Sequence, residues 1–580
     1  MITFLKLLHR SVLIGLSLFT TAAIAQTQTV GTTVNSPTAF DSYTLIYTYN
    51  SPTVYLINNC GQKIHQWTTS GNTLIAYLQP NGDLIKTSID PATVFVGGGS
   101  QGFIERYSWS GALQWKYKLS NDTMTLHHDI EIMPNGNILC NVWKKIPAPQ
   151  VRNMGRDPNN EMGLGEIWDD LVLELQPTGT TGANIVWQWK ASEHIVQDID
   201  EKLPNYGIVA SSPELLNLNY RPEGIGTFKD WLHFNSVSYN AELDQIALSG
   251  HTFDEIYIID HGTTSSQSSG HVGGTQGKGG DLLYRWGNPA AYNQGGDTDQ
   301  VFNGQHDPHW IQYGDYTNSI ITFNNMAAPN YSAIDIITPS WDGMKYTLGS
   351  NGKYSPSAPD FRFTKKVPQE FFSGIMAAAT VLPNGNLYFT EATKGKYTEY
   401  DLSADSVVWE YTNPMKNSNF TKQGDAPSLN VTFRTYKYSK DYSAFTGRTL
   451  TPGLPLEVDP WPTACNGIDT TTHQDTTQQD TTVKDTSRAG FNAIALDIHT
   501  VVYPNPSSGK FTLKGLQNTQ AVEVRNMLGD IIYANNQIDR NNELVIDLRE
   551  FAQGTYFITF HTQSAKVTRR LVVLPLLSTN

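Results

Sequence analysis

QPNGDLI at residues 79–85 recurs as MPNGNIL at 133–139 and as LPNGNLY at 382–388. Each phrase sets Pro-Asn-Gly in front of alternating apolar positions. An Asn-Gly pair tolerates positive φ and joins two antiparallel strands through a tight turn, so each phrase reads as the hairpin of one repeating unit. A second phrase accompanies it, an apolar strand ending on an aromatic residue. KIHQW ends at Trp67, ALQWKY at Tyr117, NIVWQW at Trp189, LLYRW at Trp286 and SVVWEY at Tyr411. Such units cannot bury their apolar faces alone and must stack on one another. The pattern predicts an all-β, six-bladed β-propeller over residues 26–460, with insertions at 145–165, 194–229, 262–280 and 338–370.

Composition agrees with that fold class. The 580 residues include 47 Gly, 29 Pro, 28 Tyr, 23 Phe and 13 Trp, with 16% charged, a turn-rich and aromatic-rich set. A formal charge of −14 and the absence of any Lys/Arg-rich run leave no basic field to draw nucleic acid. A small anionic substrate stays open, because a few cations inside a pocket act at short range where net charge is screened.

The two ends of the chain carry separate signals. MITFLKLLHRSVLIGLSLFTTAAIAQ sets Lys6 and Arg10 ahead of an apolar stretch and ends it on Ala23-Ile24-Ala25, which predicts a signal peptide over residues 1–25. Export brings Cys60, Cys140 and Cys465 into an oxidising compartment with room for at most one intrachain disulfide, either Cys60 to Cys465 or one involving Cys140. GIDTTTHQDTTQQDTTVKDTSR at 467–488 has almost nothing apolar to bury and marks a disordered linker over 461–495. Beyond it, VVYPNPSSGKFTL, VEVRNMLGDIIY, ELVIDL and GTYFITF alternate as strands of a small C-terminal β-sandwich over 496–580.

That tail resembles the C-terminal sorting domain of type IX secretion cargo, with its Tyr503-Pro504-Asn505-Pro506 opening, Gly529-Asp530 turn and Gly554-Thr555-Tyr556 strand. The resemblance implies an outer-membrane secretion machine as partner. The chain would pass the periplasm in transit and then be secreted or held at the cell surface.

Four polar stretches interrupt the repeat: LHHDIEIMPNGN at 126–137, KDWLHFNSVSYN at 229–240, LSGHTFDEIYIID at 248–260 and NGQHDPHW at 303–310. Strand ends of a propeller ring the mouth of its central channel, where residues far apart in sequence converge. Regular alternation turns His233 and Asn235 to one side, with Phe234 on the other, and opposes His127 to His128. The glycine-rich GHVGGTQGKGGD at 270–281 lacks the Ser/Thr after Lys278 and the helix that a phosphate-binding loop needs, so it reads as a channel-edge loop and not as a phosphate cradle. His261 and His271 beside it read as structural.

Taken together and in order, HHDIEIMPNGN, DWLHFNSVSYN, FDEIYIID, GDLLYRWGNP and GQHDPHW resemble the bacterial aryl-sulfate sulfotransferases. Those are six-bladed propellers that move a sulfuryl group from a phenolic sulfate ester to a phenol acceptor. The resemblance implies that His306, in Gln305-His306, is the nucleophile, supported by His128 or His127, by His233 and by Asn235. Where the family has an arginine this chain has His251, so a cation must come from an imidazolium there, from Arg285 or from Lys229. His127, His309, Arg285 and Phe253 are candidate substrate-binding residues, with Phe302 and Trp310 as further aryl contacts. No cofactor and no metal are implied.

The residue types suit that chemistry. A neutral imidazole can attack sulfur and hold the group as a sulfohistidine, which predicts ping-pong kinetics. Neighbouring imidazoles can protonate the departing phenolate or bond the sulfuryl oxygens. Two other readings fit the same residues. In one, His128, His233, His251 and His306 ligate a divalent ion in a metal-dependent hydrolase or lyase. In the other, the propeller is a non-catalytic surface binding scaffold. Nothing in the motifs specifies an oligomeric state.

Overall fold

The computed structural model describes residues 28–157, 165–221, 229–416 and 419–460, and most of 501–573. The expected signal peptide and linker lie outside the described residues. The chain divides into two units, Met1–Thr472 and His473–Asn580. Helix among the described residues is limited to Ala148–Asn153 and short 3-10 turns.

Among its described residues the first unit holds six antiparallel sheets of four or five strands. Four of them use strands in consecutive order: Thr73–Leu78 to Leu113–Lys118, Met124–Ile132 to Gly182–Lys190, Phe234–Asn240 to Tyr284–Trp286, and His306–Trp310 to Phe361–Phe363. The other two combine distant parts of the chain. Tyr436–Ser439 pairs with Ser42–Ile46 to complete the first sheet, and Gly31–Asn35 pairs with Ser406–Thr412 to complete the sixth.

The three Asn-Gly phrases are hairpin turns, with one refinement. Gly82, Gly136 and Gly385 take φ of 92°, 84° and 85°, while the preceding asparagines do not enter the positive region. Residue 79 bonds both ways across its turn, Gln79 N–H to Asp83 O at 2.8 Å and Gly82 N–H to Gln79 O at 2.8 Å. Only the glycine needs the left-handed region, as in a three-residue turn rather than a two-residue one.

Successive sheets pack face to face in chain order. Leu56 and Trp67 of the first share a buried cluster with Ala76 and Leu84 of the second, and comparable clusters link second to third, third to fourth, fourth to fifth and fifth to sixth. A further one joins Tyr388, Tyr397 and Trp409 of the sixth to Ile46 and Ile57 of the first. The recurring aromatic has a second job. The indole N–H of Trp67 donates to Ser108 O (3.1 Å), Trp115 to Gly182 O (2.8 Å), Trp189 to Gly280 O (2.7 Å), Trp286 to Pro356 O (2.6 Å) and Trp409 to Asn59 O (2.7 Å). Each bond crosses to the next sheet, and the last crosses from the sixth to the first. In two phrases the bonded residue is Trp115 or Trp409, two positions before the tyrosine that ends the strand.

The first strands of neighbouring sheets run side by side, Met124–Ile132 against Phe234–Asn240 and that against His306–Trp310. These strands are not regular. The pairing register slips between Cys140 and Val142, between Phe234 and Val237 and between His306 and His309. Bulges of this kind re-aim side chains. They also overturn the alternation expected from sequence, because His128 and His233 take φ of 51° and 55°.

The second unit has a three-stranded and a four-stranded antiparallel sheet, with Phe511, Leu513, Val524, Ile546, Ile558 and Phe560 in one buried cluster. Among the cysteines, Cys60 is disulfide-bonded, whereas Cys140 is a free, buried thiol 3.5 Å from Leu173 O. The pairing through Cys140 is therefore not formed. Cys465 lies outside the described residues.

Candidate active site

Three imidazoles at or next to the bulged first strands, His128, His233 and His306, meet a fourth, His251, from the 3-10 turn His251–Phe253 that follows Gln245–Gly250. Ring centroids are 4.3 Å apart for His128 and His233, 5.0 Å for His233 and His251, and 5.0 Å for His251 and His306. Phe433 touches both ends of this row, 6.4 Å from the ring of His128 and 6.1 Å from that of His306. Residues separated by up to 178 positions thus meet in one cluster.

Each ring is held from behind. Asn325 Nδ2 donates to the carbonyls of Ser373 and Met376, both at 2.7 Å, which fixes its Oδ1 as an acceptor. His306 Nδ1 lies 2.9 Å from that Oδ1 and 2.9 Å from Gly304 O. Both partners are acceptors, so the proton sits on Nδ1 and Nε2 keeps its lone pair. The only protein group on that nitrogen among the described residues is the Met376 N–H, at 3.3 Å. Met376 and Ala377 take φ of 57° and 82°, unfavourable for side chains and characteristic of functional sites.

His233 Nδ1 is paired closely with Asp230 Oδ2, which turns Nε2 outward. The turn that carries it is capped by Asp170, whose carboxylate accepts the backbone N–H groups of Leu232 (3.3 Å), His233 (3.2 Å) and Phe234 (3.0 Å). His127 is stacked on Trp143 at 4.2 Å, with Nε2 3.2 Å from Asp170 Oδ1 and Nδ1 3.0 Å from His128 Nδ1. His127 is therefore a link between Asp170 and His128, and His128 is the one that faces the cluster. Only glycine fits opposite His128: a Cβ on Gly99 would lie 2.1 Å from its ring.

The remaining expected site residues are placed as follows. Asn235 Nδ2 donates to Gln305 O at 2.8 Å, and Gln305 Nε2 bonds Glu255 O at 3.0 Å, so both pin the His306 strand to the fourth sheet. His309 is turned away from His306, with Nε2 3.3 Å from Thr380 Oγ1. It lines a cavity of about 600 Å³ with Tyr77, Glu131, Arg434 and Tyr436, to which none of the four clustered imidazoles contributes. Arg285 is not brought to the cluster. It lies on the outermost strand of its sheet, where Nε bonds Glu255 Oε1 at 2.9 Å and the guanidinium stacks 4.2 Å over Tyr292. Phe253 packs in the core against Tyr220 and Trp231 at 5.0 and 6.2 Å. Phe302 packs on Trp286 at 5.0 Å and Trp310 in the core between the fourth and fifth sheets. Lys229 pairs with Glu166 at 2.8 Å on the surface. Neither alternative cation reaches the imidazoles.

Burial, reinforced by the neighbouring rings, holds His128 and His251 well below the ordinary histidine range, and does the same for His127. Burial pushes His306 down to about 4 against the pull of its bond to Asn325. In the free protein at neutral pH the nucleophile candidate and its neighbour His251 are uncharged bases. This direction runs against the imidazolium expected at His251.

Several residues of this site carry no motif. Arg434, next to Phe433, is buried and joins Asp129 Oδ2 (2.9 Å) to Asp307 Oδ1 (2.8 Å), the carboxylates that follow His128 and His306. Its charge is one of the pressures that keep His306 uncharged. Asp129 also accepts from Tyr77 O–H at 3.0 Å and from Val237 N–H at 3.0 Å. Trp143, Trp168 and Phe95 form an aromatic patch beside His127 and His233. The HHD and HDP triplets carried a faint signal of the pair of aspartates, but nothing marked their partner.

Comparison with known proteins adds to this geometry. No curated protein matches the chain. Among solved structures, a Bacteroides caccae protein of unknown function is 13% identical, with a TM-score of 0.35 over 64% of this chain and 94% of that one. A catalytically inactive virginiamycin B lyase from Staphylococcus aureus, solved with quinupristin, is 12% identical, with a TM-score of 0.30 over 67% and 89%. Residues 501–574 match the secretion system C-terminal sorting domain, so the chain is exported and is secreted or held at the cell surface. The match to the arylsulfotransferase (ASST) model runs over residues 47–437, from the first sheet to the strand that completes it, and takes in all four clustered histidines: the chain belongs to the arylsulfotransferase family.

Proposed function

We propose that this chain moves a sulfuryl group from a phenolic sulfate ester to a phenol by way of a sulfohistidine at His306, with no nucleotide sulfate donor. In this reading the six sheets are blades of a propeller, entered at the face where the four imidazoles meet, and the C-terminal unit is a β-sandwich that serves as an address. The observation that carries it is the proton placement at His306: Asn325 and Gly304 hold Nδ1–H, leaving on Nε2 an unprotonated lone pair that meets only the long Met376 N–H bond (3.3 Å) among the described residues and can turn to sulfur when that bond yields.

In the first half-reaction Nε2 attacks sulfur, the N–S bond forms and the S–O bond to the aryl group breaks. His233, whose Nδ1 is backed by Asp230, donates a proton from Nε2 to the departing phenolate and later takes one from the acceptor phenol. His128, His251 and the Met376 N–H surround the sulfuryl oxygens, where preorganised donors stabilise developing charge. Asn235 acts by fixing the His306 strand.

The metal reading is less well supported by the geometry. No three of the four clustered imidazoles place ligand nitrogens within 4.8 Å of one another, and His306 Nδ1 is already committed.

Two measurements test the proposal. Mixing the protein with an aryl sulfate and no acceptor is expected to add the mass of one sulfuryl group to the peptide containing His306, read by mass spectrometry. An adduct on another peptide would reject the assignment. The rate of that labelling should also follow the unprotonated form of His306. Since its pKa is pushed down to about 4, the rate is expected to stay level from pH 7 to 5 and to fall only below that. An inflection near the ordinary value of about 6.5 would mean that the nucleophile is a solvated histidine.

A further inference from the structure

We propose that His194, His271 and Asp281 form a binding site for a divalent transition metal, with zinc the ion that best suits the donors. His194 and His271 come from two insertions that the sulfuryl-transfer reading does not use, and Asp281 directly follows the second. His194 stands just before Ile195–Val196 in the segment after the third sheet. His271 and Asp281 stand at the two ends of the glycine-rich loop.

Their ligand atoms converge. His194 Nδ1 lies 2.9 Å from Asp281 Oδ1, His271 Nδ1 lies 2.7 Å from the same oxygen, and all three atoms fall within 4.8 Å of one another. The His194 ring is fully buried, stacked parallel on Trp189 at 5.4 Å, and its Nε2 lies 2.8 Å from Ser268 O. A carbonyl accepts only, so Nε2 carries the proton. In the neutral ring Nδ1 then presents a lone pair, and that lone pair is aimed at a carboxylate oxygen. Two acceptors cannot face each other at this distance, so either a second proton on Nδ1 or a metal ion bound by both atoms must join them.

The surroundings are those of a metal ligand. A ligating histidine ordinarily gives its other N–H to a backbone carbonyl, which fixes the tautomer and the ring plane, and Ser268 O does this here. The ring reaches its position only because residue 280 is glycine, since a Cβ there would lie 2.5 Å from Nε2. Two imidazoles and one carboxylate are zinc donors, whereas calcium and magnesium prefer all-oxygen sets. Tetrahedral zinc bonds of about 2.0–2.2 Å set neighbouring donors roughly 3.3–3.6 Å apart, so the two imidazole nitrogens must each draw back from Asp281 Oδ1 by roughly half an ångström or somewhat more. His271 is the adjustable member, 55% exposed, and water completes the tetrahedron.

Such an ion would staple the glycine-rich loop to the neighbouring insertion, beside the bond from Leu282 N–H to Glu214 O at 3.0 Å. It would leave the imidazole cluster untouched, because the two sets share no residue.

The test uses the full chain, stripped with a chelator and titrated with Co²⁺. One equivalent is expected to bind, with the visible absorption bands of a tetrahedral nitrogen/oxygen site. Zn²⁺ is expected to displace it and to raise the melting temperature, and chelator to reverse that rise. His271→Ala, at an exposed position, should fold normally, keep sulfuryl transfer and bind Co²⁺ at least 100-fold more weakly. Absence of both the spectrum and the Zn²⁺-dependent stabilisation in the unmodified chain would overturn the proposal, with the charge between His194 and Asp281 then supplied by a proton. Binding that survives His271→Ala unchanged would overturn it as well.

Discussion

His306→Ala is expected to lower sulfuryl transfer between an aryl sulfate and a phenol by about four orders of magnitude or more in kcat, roughly 5.5 kcal/mol of barrier. The covalent adduct should vanish with it. The reasoning is that no second nucleophile is built in the same way: His128 and His233 have their Nδ1 atoms backed by His127 and Asp230, but only His306 has its proton fixed by an amide that is itself locked from two sides. The substitution removes one side chain from a pocket and leaves Asn325 bonded to Ser373 and Met376, so the fold should survive. The check is a steady-state assay beside a melting curve. A loss of only tenfold, with the melting temperature unchanged, would mean that the reaction proceeds by direct transfer between phenols.

Arg434→Met should have the largest effect on stability, about 3–5 kcal/mol. Arg434 is the cation between Asp129 and Asp307, all three are buried, and nearby Glu131 already has its carboxyl pushed up to about 8, first by burial and then by Asp129. Removing the guanidinium strands two carboxylates in a medium that cannot solvate them. Methionine fills much of the volume, so the cost is electrostatic more than steric. Denaturant titration of the full chain, following the transition of the first unit, gives the number. Adding Asp129→Asn and Asp307→Asn should recover a good part of it, because the uncompensated charges are then gone. A cost below about 1 kcal/mol would mean that water reaches this network and that Arg434 is a solvated residue.

The contrast between these two residues shows what the sequence exposed. His306, His128, His233 and His251 could be read from motifs in order, because short polar runs stand out in an apolar, turn-rich chain. The repeat itself was legible in the Asn-Gly phrases and the aromatic strands. Arg434 was not, since it sits in FRTYKY among alternating residues and its partners are more than a hundred positions away. Arg285 was read as a free cation, but its charge is consumed by Glu255 across a neighbouring strand, a pairing set by register and by no local pattern. Strand alternation failed at His128 and His233, where positive φ breaks the period. The roles of Asn325 and the Met376 N–H depend on backbone carbonyls, which side-chain sequence does not encode. The tryptophans were visible as packing residues, yet their bonds to the next sheet end on main-chain oxygens and were equally hidden.

Two sheets of the first unit draw strands from both ends of it, Gly31–Asn35 with Ser406–Thr412 and Ser42–Ile46 with Tyr436–Ser439. During synthesis, the earliest strands must therefore wait for almost four hundred residues before their partners exist. Loop closure over that distance is slow, whereas the four sheets built from consecutive strands need no such partner. A stop before Ser406 would remove the partners of both N-terminal strands and leave the first and sixth sheets each one strand short.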